Sequence, residues 1–273
     1  MAVHSPAKRR LAEPIARGRA GGPFVELAAR DPAPTGPVLV MFAVPEEAQP
    51  FRRLLRERGD RPQRLDFHDE PWSNRAWSFA GGQIWISGMG KRNATLALDQ
   101  ALARRPTLVL TCGFAGGLNP ALPTATVMVD AEPEFPWLSR LTKAGAVPSR
   151  FCCADRVAVT PADKTALRRE TGADAVEMES GVIRDACRVR GIPAATVRVI
   201  SDAADESLPL DFGALMTPDD RIDFGKLACA LIRSPAKIPQ LLRFQRRVSH
   251  AANALAQVLA SVFSDAGPGS VSN

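Results

Sequence analysis

The sequence predicts an α/β fold in which a largely parallel sheet is covered by helices on both faces. Short continuous apolar runs, such as Val38–Ala43, are typical of strands that are buried on both sides. Segments with apolar residues at helical spacing lie between these runs, and Glu46–Arg58 is the first of them. Because strands separated by helices are usually joined by crossovers that keep them parallel, this alternation predicts the layered sheet.

Strands and helices alternate along the chain. The third strand is predicted to break into a glycine-rich turn at Gly113–Gly117, because glycines punctuate strand ends. The predicted strands are Val38–Ala43, Gln83–Ser87, Thr107–Thr111, Thr126–Asp130 and Ala194–Ile200, and the predicted helices are Glu46–Arg58, Ala94–Arg104, Val176–Arg190, Leu227–Ile232 and Pro239–Phe263.

Composition divides the chain into one domain and two tails. Residues 1–36 are rich in Pro, Ala and Arg and are expected to form a flexible extension. Residues 265–273, rich in Gly and Ser, are expected to form a flexible tail. Residues 37–264 carry the alternating pattern and form the predicted domain.

The bulk composition excludes several classes of protein. The net charge is +6, but the basic residues are spread out, tyrosine is absent and no aromatic stripe alternates with Arg or Lys, so nucleic-acid binding is disfavoured. No run approaches the roughly 18–20 apolar residues of a transmembrane segment, and the first 30 residues lack the apolar core of a secretory signal. The five cysteines have no regular spacing, so neither a disulfide framework nor a metal site is indicated. We therefore expect a cytoplasmic protein.

The candidate functional residues lie beyond the carboxyl ends of the predicted strands, where ligands bind in such sheets. The glycine run at Gly113–Gly117 lets backbone approach a ligand, but it lacks the G-x-G-x-x-G spacing and a Walker lysine, so a dinucleotide-binding oxidoreductase is disfavoured. The strands are followed in order by Glu46 and Glu47, by Gly88-Met-Gly90, by Gly113–Gly117 and by Ser201-Asp202.

Two carboxylate motifs admit a structural and a chemical interpretation. Glu177-Met-Glu179 opens a predicted helix, where its carboxylates complement the helix dipole or where one of them turns inward. An ionised carboxylate accepts hydrogen bonds only, so an inward one suits the two vicinal hydroxyls of a ribose. Asp202 caps the following segment, or it donates a proton to a leaving group from a pocket.

Other charged residues near the strand ends also admit two interpretations. Glu46 and Glu47 decorate a helix N-terminus, or one of them is a general base aimed at water. Lys91, Arg92 and Arg198 supply positive charge for a phosphate, or they lie at the surface.

From Val38 to Phe212 these motifs occur in the same order as in one known family. The most specific stretches are Ala175-Val-Glu-Met-Glu-Ser180 and Val197-Arg-Val-Ile-Ser-Asp-Ala-Ala-Asp205, supported by Gly113-Phe-Ala-Gly-Gly-Leu118 and Ser87-Gly-Met-Gly90. The chain resembles the nucleoside phosphorylase/nucleosidase family, which includes methylthioadenosine/S-adenosylhomocysteine nucleosidases and purine nucleoside and uridine phosphorylases. The resemblance implies a three-layer α/β/α fold around a mixed, partly closed sheet.

The resemblance implies cleavage of the N-glycosidic bond of an adenine-type purine nucleoside, by hydrolysis or phosphorolysis. Glu179 is implied to bind the ribose hydroxyls, with Met178 beneath the sugar and Glu177 beside it. Asp202 is implied to be the acid toward the purine, and Glu47 to orient the attacking water. No metal or organic cofactor is implied. The implied partners are the nucleoside, inorganic phosphate in the case of phosphorolysis, and further copies of the chain in a homo-oligomer.

The remaining implied positions surround the base and the nucleophile. Phe114 stands where the family commonly has Ser or Thr, and Val157 where an aromatic residue often stacks on the base. These departures favour an alternative, a nucleoside-binding protein on the same scaffold that has lost catalysis, whereas the joint presence of Glu47, Glu179 and Asp202 opposes it. The implied base-side residues are Ser201, Val157 and Ala158, and those on the side of the nucleophile or phosphate are Gly88, Gly90, Phe114, Ala115 and Gly116.

Two further segments carry a resemblance to one subgroup. Asp155–Glu170 and the Arg-rich region Arg221–Arg247 are similar to the hopanoid-associated phosphorylases of bacteria. This similarity implies an adenosine that carries a large lipid as an alternative substrate. Glu47 favours water as the nucleophile, and phosphate stays open.

Overall fold

The computed structural model describes residues 36–67, 75–211, 215, 217 and 238–264. Residues 1–35 of the predicted extension, the predicted tail at 265–273 and the predicted helix Leu227–Ile232 lie outside the described residues, as does the part of Arg221–Arg247 before Ile238. Within the described part, one mixed sheet is covered by helices, so the predicted α/β class is confirmed.

The described residues contain ten strands and six helices. The strands are β1 (Val38–Phe42), β2 (Gln63–Arg64), β3 (Ala76–Phe79), β4 (Gly82–Ile86), β5 (Leu108–Gly117), β6 (Val127–Asp130), β7 (Val147–Pro148), β8 (Phe151–Cys153), β9 (Ala175–Glu177) and β10 (Ala194–Asp202). The helices are α1 (Pro45–Glu57), α2 (Gly90–Leu102), α3 (Leu138–Lys143), α4 (Pro161–Thr171), α5 (Ser180–Val189) and α6 (Ile238–Ser264).

The centre of the sheet is parallel and its margins are mixed. The order is β2-β3-β4-β1-β5-β10-β6-β7, and β9 pairs with both β5 and β8 away from this path. Strands β4, β1, β5 and β10 run parallel to one another, whereas β3, β6 and β9 pair antiparallel with their neighbours in that group. The carboxyl ends of the central strands therefore meet at one edge, where the candidate residues lie.

Each face of the sheet packs against its own helices. In β1, Val38, Val40 and Phe42 join a core cluster with residues of α1, α3 and α6, while Leu39 and Met41 join a second cluster with residues of α2 and α5. Because alternate side chains of a strand point to opposite faces, a strand covered on both sides needs a continuous apolar run. This packing explains the apolar runs and gives the three layers.

Two sequence-based expectations about the site segments are wrong. Gly113–Gly117 does not break the strand, because β5 continues to Gly117 with β10 and then β9 as hydrogen-bonded neighbours. The predicted helix Val176–Arg190 begins later: Ala175–Glu177 is a strand, and α5 starts at Ser180. Glu177 and Glu179 therefore lie on a strand and at the adjoining helix cap rather than on one helix.

Helix α4 was not predicted, although local signals mark its ends. The Thr160 hydroxyl accepts a hydrogen bond from the Asp163 N–H, while the Asp163 carboxylate accepts from the Thr160 N–H, which is a capping box. Gly172 ends the helix with φ 66°, a left-handed conformation that favours glycine. Strands β2, β3, β7, β8 and helix α3 were also missed.

None of the described helices is long and apolar enough to cross a membrane.

Candidate functional site

Arg198 is the centre of a buried charged cluster. Its side chain projects from β10 and is 1% exposed. Nη2 lies 2.6 Å from Glu177 Oε2 and 3.4 Å from Glu179 Oε2. The guanidinium also donates to the Cys112 carbonyl oxygen from Nη1, at 3.1 Å. Burial alone would lower the pKa of Arg198, but the surrounding carboxylates raise it above its ordinary value. The guanidinium is therefore a permanent charge.

Glu47 completes the cluster from the start of α1. Oε2 accepts hydrogen bonds from the N–H groups of Ala43 and Val44, at 2.9 and 3.1 Å. Oε1 accepts from the N–H of Phe114 at 2.7 Å. Burial raises the pKa of Glu47 to about 7, although Arg198 opposes the shift. A carboxyl with this pKa is suited to general base catalysis near neutral pH.

Gly113 leaves room beside β5 for both the Glu47 and the Arg198 side chains. Its φ is +150°, and a Cβ built there would lie 2.5 Å from Arg198 Nη1 and 2.5 Å from Glu47 Oε1. Real atoms do not approach so closely without displacement, so a side chain at this position would push both charged groups away. The glycine is thus required by the close approach of β5 to the cluster.

Both carboxylate oxygens of Glu177 accept hydrogen bonds from groups of the protein itself. Oε2 accepts from the N–H groups of Glu179 and Ser180, at 3.0 and 2.8 Å, and from Arg198. Oε1 accepts from the Ser180 hydroxyl at 2.6 Å. Burial alone would raise the pKa of Glu177. Arg198 and the hydrogen bonds from Ser180 outweigh burial, so the pKa of Glu177 lies below its ordinary value. These contacts cap α5 and anchor Arg198, so the expected ribose contact of Glu177 is not favoured.

Glu179 is the less saturated of the two carboxylates. Oε1 accepts from the N–H of Gly90 at 2.9 Å, and Oε2 is 3.4 Å from Arg198. Burial raises the pKa of Glu179, and Arg198 partly offsets this. Lone pairs therefore stay available for hydroxyl donors. Met178 beside it is only partly buried.

A second polar cluster surrounds Asp202 at the end of β10. The Ser201 hydroxyl lies 2.6 Å from Asp202 Oδ1, and Lys164 Nζ lies 2.5 Å from Asp202 Oδ2. Lys164 comes from α4 and is fully buried. Lys164 was missed by sequence reasoning, because a lysine in a polar helix is normally a surface residue. The capping signals at the ends of α4 indicate an ordered helix, but they do not indicate that Lys164 is buried.

The residues expected beside the nucleophile lie along β5 and at the start of α2. Phe114 contributes its N–H to Glu47, while its ring packs against the core cluster that contains α1 and α6. Gly116 pairs in register with Asp202, and the Ala115 carbonyl oxygen is 3.3 Å from the Ser201 hydroxyl. Strand β5 therefore borders both clusters. Gly88 has φ +94° and Gly90 bonds Glu179.

The residues expected near the base lie in different surroundings. Ser201 contacts Asp202, as described above. Val157 is partly buried, whereas Ala158 is buried in a small core cluster with Leu118 and Val176. Lys91, one candidate for binding phosphate, forms an exposed ion pair with Asp155 at 2.5 Å.

A family model described as the phosphorylase superfamily matches residues 140–233. The sequence is 24% identical to a 5′-methylthioadenosine/S-adenosylhomocysteine nucleosidase of Shewanella oneidensis, over 51% of this chain and 75% of the relative.

Solved structures share the fold at low sequence identity. Futalosine hydrolase of Helicobacter pylori superposes with a TM-score of 0.58 at 19% identity, covering 84% of this chain and 97% of that chain. The 5′-methylthioadenosine/S-adenosylhomocysteine nucleosidase of the same species, bound to butyl-thio-DADMe-Immucillin-A, gives 0.59 at 19% identity, with 84% and 98% covered. The corresponding nucleosidase of Colwellia psychrerythraea, in complex with adenine, gives 0.56 at 18% identity, with 84% and 95% covered.

Proposed function

We propose that this chain, which belongs to the phosphorylase superfamily, is an N-ribosyl hydrolase that cleaves the N-glycosidic bond of an adenine-type purine nucleoside with water as the nucleophile. The observation that carries this proposal is the pair of buried polar clusters on β10. Arg198, with its carboxylates, and Asp202, with Lys164, are four residues apart on one strand. An irregularity between Ile200 and Asp202 leaves their β5 partners, Gly113 and Gly116, only three positions apart, which is roughly 10 Å along the strand. Such a span suits a nucleoside whose sugar and base contact different clusters.

The charge of the Arg198 cluster favours water over phosphate. One guanidinium faces three carboxyl groups, those of Glu47, Glu177 and Glu179. The Arg198 charge is already paired with the Glu177 carboxylate, so the cluster offers a phosphate anion no surplus positive charge, and each further carboxyl that ionises adds repulsion. Water meets no such repulsion, and a carboxyl with a pKa of about 7 can take its proton at neutral pH.

The same negative charge suits the transition state on the sugar side. When the bond from C1′ to the base breaks with little help from the nucleophile, the ribosyl group becomes oxocarbenium-like and positive. Buried carboxylates fixed before the reaction stabilise such charge without reorganisation. Glu179 is assigned to the vicinal ribose hydroxyls, because its oxygens keep free lone pairs and its neighbour Met178 is not fully buried.

Asp202 is assigned to the leaving base. As the bond breaks, its electron pair stays on the purine, which departs more readily when its imidazole nitrogen N7 receives a proton. A carboxyl group held by Ser201 and Lys164 at the end of β10 is positioned to supply that proton. The similarity to nucleosidases crystallised with adenine and with butyl-thio-DADMe-Immucillin-A supports an adenine-type base.

Direct product analysis tests the proposal. The protein is incubated with methylthioadenosine, S-adenosylhomocysteine, adenosine and inosine, each with and without phosphate, and free base and sugar are quantified. We expect adenine and a free reducing sugar in phosphate-free buffer. Glu47→Gln is expected to lower turnover by about 10²–10⁴-fold, whereas Glu46→Gln, at the exposed neighbouring position, serves as the matched control. A sugar 1-phosphate as product, or strict dependence on phosphate, would refute hydrolysis. Cytoplasmic location and a homo-oligomer stay predictions.

A further inference from the structure

The Asp202 carboxyl is in contact with a buried lysine, Lys164. Lys164 is fully buried, and its ammonium donates to Asp202 Oδ2 at 2.5 Å, to the Ala203 carbonyl oxygen at 2.6 Å and to the Glu206 carbonyl oxygen at 2.9 Å. The three N–H donors of a lysine are thereby all used. Such an arrangement fixes the lysine, the carboxyl and the turn after β10 as one unit.

Burying the ammonium group of a lysine to hold a turn is energetically unfavourable. Taking an ammonium group out of water is strongly unfavourable unless a partner carboxylate and further hydrogen bonds compensate, and an apolar pair of similar volume often gives equal or greater stability. The geometry therefore suggests a use for the charge. The pair lies where β10 ends, and Gly116 of β5 lies alongside, since a Cβ there would be 3.5 Å from Asp202 Oδ2 and 4.0 Å from Lys164 Cε.

We infer that Lys164 is a positioning residue that acts through Asp202, so that the acid for the leaving base is a lysine–aspartate pair. This inference rests on the proposed function. Lys164 donates to Oδ2 and thereby sets the rotation of the carboxyl group, so that Oδ1, 2.6 Å from the Ser201 hydroxyl, is the oxygen that carries the acid proton. In the reaction this proton moves from Oδ1 to the base and the electron pair of the broken glycosidic bond stays on the base, while Glu47 takes up the proton lost by the attacking water, so that protons balance. The carboxylate left behind is stabilised by the ammonium that already contacts it.

The charged surroundings of the pair come from three elements. Lys164 of α4 contacts the Asp202 carboxyl directly. Glu206, after β10, approaches Lys164 with its backbone carbonyl group, and its carboxylate bonds Arg247 of α6 and the N–H of Ala203. The negative charge of Glu206 is thus paired with Arg247, which leaves Lys164 as the cation in contact with the acid among the described residues.

A double-mutant cycle separates this role from simple support of the turn. Lys164→Met is expected to lower kcat by about 10- to 100-fold, less than removal of the acid itself. In an Asp202→Asn background, Lys164→Met is expected to cost less than about threefold more, because the residue acts through the carboxyl. Arg169→Met removes an exposed cation from the same helix and should leave kcat unchanged. Circular dichroism and thermal unfolding of each variant confirm that it is folded.

The split between kcat and KM supplies a second, independent measurement. Because Lys164 acts through the acid that protonates the leaving base, Lys164→Met should lower kcat and leave KM within about threefold of the wild-type value. Losses that multiply in the double mutant, or a change confined to KM, would overturn the inference and leave hydrolysis intact.

If the wild type releases no base from any nucleoside, the proposed function fails and adenine binding tests the pair instead. Calorimetry should then show adenine bound about tenfold more weakly by Lys164→Met, with no added loss in the Asp202→Asn background. An unchanged adenine affinity would overturn the inference.

Discussion

Replacing Glu47 by glutamine should change the pH dependence of stability in a calculable way. The Glu47 carboxyl is 4% exposed, and its pKa in the folded protein is about 7 instead of 4.5. Its folded pKa is raised, so between these values the folded state binds a proton that the unfolded state has lost. Stability due to this group is therefore fully present below pH 4.5 and is lost as the pH rises toward 7.

The magnitude follows from the size of the shift. One pKa unit corresponds to 1.36 kcal/mol, so the shift is worth about 3 kcal/mol in total, and about 2 to 3 kcal/mol of it falls between pH 5 and pH 8. The glutamine amide of the Glu47→Gln variant would not titrate. It would also turn one donor toward backbone N–H groups that now bond the carboxylate, which costs about 1–3 kcal/mol at every pH.

Urea unfolding at a series of pH values measures this difference. The free energy of unfolding of Glu47→Gln minus that of the wild type should increase by about 2 to 3 kcal/mol from pH 5 to pH 8. Glu46→Gln, at the exposed adjacent position, is the matched control. A difference for Glu47→Gln that changes with pH no more than the difference for Glu46→Gln would refute the buried, protonatable carboxyl on which the assignment of a base rests.

Three further substitutions test separate parts of the site. Asp202→Asn should retain the fold and lower kcat by about 10²–10⁴-fold, whereas Asp205→Asn, at an exposed position, should be nearly silent in the same assay. Glu179→Ala should raise the Kd of a nucleoside inhibitor far more than that of free adenine, and equal effects in calorimetry would speak against a ribose contact. Gly113→Ala should destabilise the fold by about 1–3 kcal/mol and abolish most activity, because its Cβ would lie 2.5 Å from two charged groups. Gly145→Ala, also at positive φ but in open space, should show strain without loss of activity.

The fold was largely predictable because burial on both faces leaves a strong trace in sequence. Apolar runs located the central strands β1, β4 and β10, and helical spacing located α1, α2 and α6. The marginal strands β2, β7 and β8 are two or three residues long, so no periodicity can mark them. The glycines of Gly113–Gly117 predict a turn because glycine often ends strands, whereas in the structure these small residues let the strand pass close to buried charges.

The sequence predicts several residues of the candidate site, but it does not predict the contacts that join them. Glu47, Glu179 and Asp202 were recognisable from motifs and from their places after strands. The role of Arg198 as the hub depends on distances between β5, β9 and β10, which the sequence does not contain. Lys164 was hidden for another reason: its burial is decided by a carboxylate 38 residues further along the chain.

Product analysis in the absence of phosphate distinguishes hydrolysis by Glu47-activated water from the alternatives. With methylthioadenosine or adenosine in phosphate-free buffer, we expect stoichiometric release of adenine and a reducing sugar, and a large loss of this release in Glu47→Gln but not in Glu46→Gln. Release that requires phosphate and yields a sugar 1-phosphate, or equal activity of the two variants, would contradict hydrolysis with Glu47 as the base.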